Sequence, residues 1–264
     1  MQLGKQIRLE RFFNKRSGRA IIVPMDHGVT EGPLRGLGDV GATVGKVAQN
    51  GANAIVAHKG LALYCRQAEG DNISLIVHLS AGTSLSPCPT HKVLVTTVEE
   101  ALRLGADGVS IHVNLGNDHD ADMLRDFGRV AGQAQAWGLP LLAMVYARGS
   151  RVENEFDPKL VAHCARVGME LGADVVKVSY TGSVESFAQV TQNCDIPVLV
   201  AGGPKLDSDQ AVLQTVYDSL QAGGKGISFG RNVFSHPAPD RLMRSLSGLV
   251  HEGWDVQKAL DAMA

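Results

Sequence analysis

Gly172-Ala173-Asp174-Val175-Val176-Lys177-Val178 carries in one short stretch the signals from which the fold of this chain is read. A glycine ends a helix because it adopts the left-handed conformation without a steric penalty, and a polar residue then occupies the return turn. The apolar, β-branched run that follows predicts a strand. Gly51-Ala52-Asn53 and Gly105-Ala106-Asp107 repeat the punctuation, and Gly223-Gly224-Lys225-Gly226 plays the same part near the end of the chain.

Working outward, apolar runs predict strands over residues 20–25, 53–57, 74–79, 108–112, 139–145, 174–178, 196–200 and 226–229. They lack strict polar alternation, as expected of strands covered on both faces. Pro140 and Pro197 sit at strand starts, where a missing amide hydrogen is tolerable. Helical periodicity predicts helices over 39–49, 61–68, 97–104, 120–137, 158–171, 184–191, 208–222 and 238–250. Alternating units of this kind predict an α/β fold, a single-domain (β/α)8 TIM barrel spanning residues 1–264. The basic extension over 1–19 is expected across the barrel bottom, and the peripheral segment 253–264 is expected to form a short helix used in assembly. An open doubly wound sheet is the competing arrangement. Its commonest form places a dinucleotide-binding GxGxxG directly after an early strand, and none directly follows the first apolar run here.

With 25 basic and 27 acidic residues among 264, the formal net charge is -2. That balance argues against an extended nucleic-acid or membrane surface, so neither is expected as a partner. No apolar run reaches the roughly 18 residues of a membrane helix, and none of signal-peptide length precedes the first strand. Cys65, Cys88, Cys164 and Cys194 are scattered without CxxC spacing, which makes a reduced, cytoplasmic location the expectation.

In barrels of this kind the chemistry sits at the C-terminal strand ends. Those ends carry Asp26 and His27, His58 and Lys59, His78 and Ser80, His112 and Asn114, Tyr146 and Arg148, then Lys177, Ser179 and Tyr180. Lys177 emerges from an apolar strand. Partial burial there favours a nucleophilic amine able to form a Schiff base with a ketone; a lysine that snorkels, or pairs with Asp26, has the same sequence signature. Lys59 is a competing amine, although it starts a connecting loop. Tyr146 suits proton transfer to a carbinolamine, or simply orientation of a neighbour. Asp26 suits proton exchange with a hydroxyl, orientation of Lys177, or a helix cap.

Gly202-Gly203 and Gly230-Arg231-Asn232 follow the last two strands, where backbone amides and a short helix start can gather around phosphate. A turn role fits the same glycines. His27, His58, His78 and His112 form the rival constellation, ligands for a catalytic Zn2+, though no HExxH motif accompanies them.

Taken in order, Val23-Pro24-Met25-Asp26-His27-Gly28, Tyr146-Ala147-Arg148-Gly149, Val176-Lys177-Val178-Ser179-Tyr180-Thr181-Gly182, Ala201-Gly202-Gly203-Pro204-Lys205 and Gly230-Arg231-Asn232-Val233-Phe234 resemble the archaeal-type class I aldolases. The resemblance covers almost the whole chain. It implies a Schiff-base mechanism with no metal or cofactor, Lys177 as the covalent lysine, Tyr146 as acid/base and Asp26 as the assisting carboxylate. It also implies phosphate contacts from the loops carrying Gly202, Gly203, Gly230 and Arg231. From their places at the strand ends, His27, Lys59, Arg148, Ser179 and Lys205 are expected to contact substrate, with Arg148, Lys59 or Lys205 able to receive a carboxylate through charge-assisted hydrogen bonds. Ala147 departs from the family pattern, in which proline commonly follows the tyrosine.

Within the family, Leu9-Glu10-Arg11-Phe12-Phe13, Ser110-Ile111-His112-Val113-Asn114 and Ala136-Trp137-Gly138-Leu139-Pro140 look closest to the 2-amino-3,7-dideoxy-D-threo-hept-6-ulosonate synthases. That resemblance implies a transaldolase of aromatic amino-acid biosynthesis acting on 1-deoxy-D-threo-hexo-2,5-diulose 6-phosphate and L-aspartate 4-semialdehyde. The expected partners are thus a phosphorylated ketose or diulose and an aldehyde, in a homo-oligomer that the family extends to decamers. Fructose-bisphosphate aldolase is the nearest alternative, a thiolase-like relative acting on a phosphorylated dione is more distant, and a non-catalytic phosphate-metabolite-binding barrel belongs to a different class.

Overall fold

The computed structural model describes residues 2–67 and 73–263. Eight parallel strands close on themselves in sequence order: β1 (Ala20–Pro24), β2 (Ala54–Ala57), β3 (Ser74–His78), β4 (Gly108–Leu115), β5 (Leu141–Ala147), β6 (Val175–Val178), β7 (Val198–Ala201) and β8 (Gly226–Ser228), with β8 paired to β1. The outer helices are Val40–Gln49, Ala62–Gln67, Val98–Arg103, Asp120–Trp137, Pro158–Glu170, Val184–Gln192, Asp209–Gln221 and Pro239–Glu252. The expected (β/α)8 barrel is therefore the observed fold. Of the helix expected over 61–68, Ala68 lies outside the described residues, as do Met1 and Ala264 at the two ends.

Element boundaries move for identifiable reasons. Thr97 lies outside its helix as a cap, its hydroxyl accepting from Glu100 N while the Glu100 side chain accepts from Thr97 N. Asp39 and Ser208 likewise accept from Ala42 N and Ala211 N rather than starting their helices. β4 runs three residues past its expected end, because Val113, Asn114 and Leu115 pair with Val145, Tyr146 and Ala147 of β5. A β-hairpin formed by Ser80–Ala81 and Val93–Leu94 was not foreseen. It leaves the end of β3 and carries residues 82–92 over the barrel mouth, where Thr30 holds it through Thr30 Oγ1 to Gly82 O at 3.0 Å and Ser84 N to Thr30 O at 3.0 Å.

The repeated punctuation does more than turn the chain. Gly51, Gly105, Gly172 and Gly223 all have positive φ, as a helix end there requires. In the turns after Gly51, Gly105 and Gly172 the polar residue reaches across to the start of the preceding strand: Asn53 Oδ1 accepts from Ile21 N at 2.7 Å, Asp107 Oδ2 from Leu75 N at 3.0 Å, and Asp174 Oδ2 from Leu141 N at 2.8 Å. These bonds satisfy amides at strand starts and fix one strand against the next.

Two apolar layers result. Ile21, Val23, Ile55, Val77, Val109, Val145, Val176 and Val200 face the helices, while Ala20, Ile22, Val56, Ile76, Leu142, Val175 and Leu199 fill the barrel. The inner layer ends at Phe12, which is fully buried and delivered by the helix Leu3–Glu10. The same N-terminal segment is fastened beneath the strands by Lys5 to Asp174 at 2.9 Å and Arg11 to Asp107 at 2.8 Å. Gly108 leaves room for the Phe12 ring, since a Cβ there would stand 2.5 Å from its Cζ. At the other end of the chain, the helix Val256–Asp261 packs with Asp209–Gln221 and Pro239–Glu252.

Removing the ring leaves a cavity at the base of the inner layer. Phe12→Ala is expected to lower stability by about 3–5 kcal/mol. Urea unfolding reads this directly, and a loss below about 1 kcal/mol would show that Phe12 is not part of the core.

Candidate active site

Strand pleating sends alternate residues to the barrel axis. Continued to the C-terminal ends, that alternation puts Asp26, His78, His112, Tyr146 and Lys177 on the axial side at the barrel mouth. Asp26, His112, Tyr146 and Lys177 border a cavity of about 230 Å³, together with His27, Asn114, Met144, Arg148, Ser179, Gly203, Gly230 and Arg231. Lys177 lies level with Met144 on β5 and Leu199 on β7, one axial layer below Tyr146. It is 6% exposed, and among the described residues its ammonium has neither an ion-pair nor a hydrogen-bond partner. The sequence allowed a pairing with Asp26; no such ion pair forms.

Asp26 opens the short helix His27–Glu31, yet its side chain makes no capping bond. Its oxygens instead face His27 Nδ1 at 3.5 Å and His78 Nε2 at 3.7 Å. His78 is fixed from behind by Ser110 Oγ at 2.8 Å. On the opposite side the Tyr146 ring is held between His112, at a centroid separation of 5.0 Å, and the Arg148 guanidinium, 4.3 Å from the ring centre. His112 Nε2 bonds to Asn114 Oδ1 at 2.9 Å, and Asn114 donates to Thr90 O at 2.7 Å. The tyrosine's surroundings are thus tied to the hairpin.

The loops after β7 and β8 form one unit. Asn232 donates to Gly202 O and Pro204 O and accepts from Leu206 N, while Arg231 Nη2 donates to Gly203 O at 3.0 Å. Gly230 has to be glycine here, because a Cβ would meet His27 Cε1 at 2.5 Å and Pro24 O at 2.6 Å. Gly203, Gly230 and Arg231 reach the cavity, whereas Gly202 packs against Phe229 and Asn232. Arg231 also meets Glu31 at 3.1 Å.

Two basic residues expected at the substrate lie elsewhere. Lys59 begins a 3-10 turn and is exposed, 3.4 Å from Glu100, and Lys205 is exposed on the loop after β7. Neither borders the cavity, because both follow the strand end into a connection that turns away from the axis. Sequence reasoning also missed a residue. Lys92, on the hairpin, borders the cavity and is 7% exposed; its only signal was its place beside the apolar run Val93-Leu94-Val95.

The strand-end histidines do not gather as metal ligands. Among the described residues, the His, Cys, Asp and Glu group with ligand atoms within 4.8 Å of one another is His91, His119 and Asp122. It does not border the cavity, its two rings are stacked, and Asp122 is paired with Arg125.

Burial opposes charge on Asp26, but His78, His27, Lys177 and His58 together hold its carboxyl well below the usual carboxylate range. Burial pushes His78 down to about 4 and lowers His27, His58 and His112 as well. These imidazoles are therefore uncharged at neutral pH, which leaves the lysine ammonium groups of Lys177 and Lys92 as the positive charges acting on Asp26. A buried amine, a carboxylate and a phenol around one cavity can carry out carbonyl addition with proton transfer.

A family model described as DeoC/LacD family aldolase matches residues 20–236. The chain is 42% identical over 247 residues to the 2-amino-4,5-dihydroxy-6-oxo-7-(phosphonooxy)heptanoate synthase of Streptomyces griseus, covering 94% of this chain and 90% of that protein. It is also 42% identical over 257 residues to the 2-amino-3,7-dideoxy-D-threo-hept-6-ulosonate synthase of Halobacterium salinarum, covering 97% and 95%. A solved Schiff-base-forming fructose-1,6-bisphosphate aldolase superposes with a TM-score of 0.87 at 32% identity, over 94% of this chain and 100% of that one.

Histidines kept neutral by the fold make its stability depend on pH. An unfolded chain takes up protons on its histidines near their ordinary value of 6.5, whereas folded His78 resists until about 4. Stability is therefore complete above 6.5 and declines as pH falls through that window, by up to about 1.4 kcal/mol per pH unit for each such group. Melting temperatures between pH 5 and pH 8 are expected to fall on the acid side, less steeply in His78→Gln. A flat profile would mean that these histidines protonate as freely in the fold as outside it.

Proposed function

The chain belongs to the DeoC/LacD family of aldolases, enzymes of the lysine Schiff-base class, and from that premise we propose that Lys177 is the amine that attacks the donor ketone. The observation that carries this reading is the Lys177 ammonium, buried at the end of β6 and unpartnered at the cavity beside Asp26. Deprotonated, it adds to the carbonyl. Tyr146 donates a proton to the carbinolamine hydroxyl as water leaves, giving an iminium that acts as electron sink. Asp26 accepts the proton of the hydroxyl on the far carbon of the bond that breaks, the carbon that becomes the aldehyde. Cleavage leaves an enamine on Lys177 and frees an aldehyde. The enamine then attacks a second aldehyde, Asp26 returns the proton to the new alkoxide, and water hydrolyses the iminium.

The products named for the Streptomyces griseus and Halobacterium salinarum enzymes differ at C7, a phosphonooxymethyl in the first and a methyl in the second. Both are 2-amino-4,5-dihydroxy-6-ketoheptanoates. Disconnecting either as an aldol between C4 and C5 gives a three-carbon ketone and L-aspartate 4-semialdehyde. We take that aldehyde as the acceptor. As donor we prefer 1-deoxy-D-threo-hexo-2,5-diulose 6-phosphate, which leaves the methyl ketone unit on Lys177 and releases a phosphorylated three-carbon dicarbonyl. Arg231 supports this choice, because Glu31 already offsets its charge. The corner of Gly203, Gly230 and Arg231 supports a second reading, with dihydroxyacetone phosphate as donor and its phosphate held there.

His27 and Ser179 border the same cavity and suit substrate hydroxyls. A cytoplasmic homo-oligomer completes the proposal. Among the described residues no helix is long and apolar enough to cross a membrane, and light scattering after size exclusion reads the assembly.

Borohydride added with donor is expected to fix one adduct, located at Lys177 by peptide mass mapping and absent from Lys177→Met. An adduct that persists in Lys177→Met removes the assignment. Tyr146→Phe is expected to lower kcat by roughly 10²–10⁴-fold. Turnover with L-aspartate 4-semialdehyde distinguishes the donors, and efficient cleavage of fructose 1,6-bisphosphate without turnover of either pair would overturn the substrate assignment.

A further inference from the structure

An acceptor such as L-aspartate 4-semialdehyde brings a carboxylate into the cavity, and something must meet it. Four cationic side chains border that space: Lys92, Arg148, Lys177 and Arg231. Lys177 is the proposed nucleophile. Arg148 is engaged by Glu155 at 2.6 Å and lies on the Tyr146 ring, and Arg231 is engaged by Glu31 and Gly203 O. Lys92 alone among these remaining three has no ion-pair or hydrogen-bond partner among the described residues.

Its position is built rather than incidental. The side chain lies so close over Gly82 that a Cβ there would stand 2.8 Å from Lys92 Cδ and 3.0 Å from Nζ. Gly82 in turn is held by Thr30, so the hairpin presents the ammonium from a braced loop. Burial lowers the Lys92 ammonium below its ordinary value, with Asp26 opposing that shift, and an incoming carboxylate would offset the burial further.

The strand order sets the direction. In a ring closed from β1 to β8, the β3–β4 connection that carries Lys92 stands across the axis from the β7 and β8 loops. Lys177 on β6 sits beside those loops. A short arm of the lysine-bound ketone can fill the near corner, so its reacting carbon faces the far wall, where the acceptor enters.

Resting on the Schiff-base reading above, we propose that Lys92 is the specificity-determining residue that receives the carboxylate of the acceptor through a charge-assisted hydrogen bond. It selects an amino-acid aldehyde over a neutral one.

Hydroxyacetone, the three-carbon unit retained on the enzyme, separates the two claims because it carries no charge. Trapped with borohydride, it is expected to label Lys177 equally in the wild type and in Lys92→Met, which also reports that the variant is folded. With hydroxyacetone as donor, Lys92→Met is expected to raise KM for L-aspartate 4-semialdehyde about 10–100-fold, the range of a lost hydrogen bond to a charged group, with kcat changed less than about threefold. Propanal, an aldehyde without the carboxylate, is expected to react equally with both proteins, and Lys92→Arg is expected to recover most of the lost affinity. Normal labelling with an unchanged KM for the amino-acid aldehyde overturns the Lys92 proposal and leaves the Schiff-base reading standing. An equal loss with propanal also overturns it. Absence of labelling in the wild type overturns the Schiff-base reading and this inference together.

Discussion

The alternation of side chains along a strand has a period of two, and the cavity depends on that alternation being held to the last residue of several strands at once. A slip of one residue in β6 would turn Lys177 toward the helices and put Val176 or Val178 on the axis. The helix-facing layer around Val145, Val176 and Val200 offers a lysine no partner, so the slipped register would bury an uncompensated charge. Correct register instead places the amine where the barrel opens. Asn53, Asp107 and Asp174 hold it by anchoring β1, β3 and β5 at amides in the first two residues of each strand. Phe12 closes the axis below.

The same geometry explains how much was legible in the sequence. Strand runs and helix-ending glycines are local signals, and they gave the barrel and its strand ends. Lys177 was conspicuous because an apolar β-branched strand has little reason to contain a lysine. Which strand-end residues share the axis was not legible: parity depends on where each strand starts, and caps such as Thr97 show how a start shifts by a residue. Lys59 and Lys205 show the converse error. Proximity to a strand end is not proximity to the axis once the chain has entered a connection. Lys92 was hidden for a third reason, since its position comes from a hairpin inserted between β3 and its helix, outside the repeating unit.

Proximity to the hairpin also links recognition to chemistry. Asn114 joins its Thr90 carbonyl to His112, and His112 packs on Tyr146. The residues that enclose the cavity and the phenol proposed as proton donor therefore belong to one connected network. Movement of residues 82–92 would change the surroundings of the phenol as well as the position of Lys92.

Charge conservation supplies the last constraint on the chemistry. Asp26 stays ionised in a buried setting because positive charge lies near it, and at neutral pH the ammonium groups of Lys177 and Lys92 supply that charge rather than the histidines. A mechanism that converted Lys177 permanently into a neutral group would weaken the positive field that keeps Asp26 ionised. In the proposed mechanism, iminium formation instead returns a positive charge to the same nitrogen, so the attraction toward Asp26 acts on the intermediate as it does on the resting site. During the enamine stage of the proposed mechanism the nitrogen is neutral, and at that moment Asp26 would hold the proton taken from the substrate hydroxyl. On that proposal carboxylate and amine lose their charges together and regain them together, which places the proton acceptor beside the lysine rather than across the cavity.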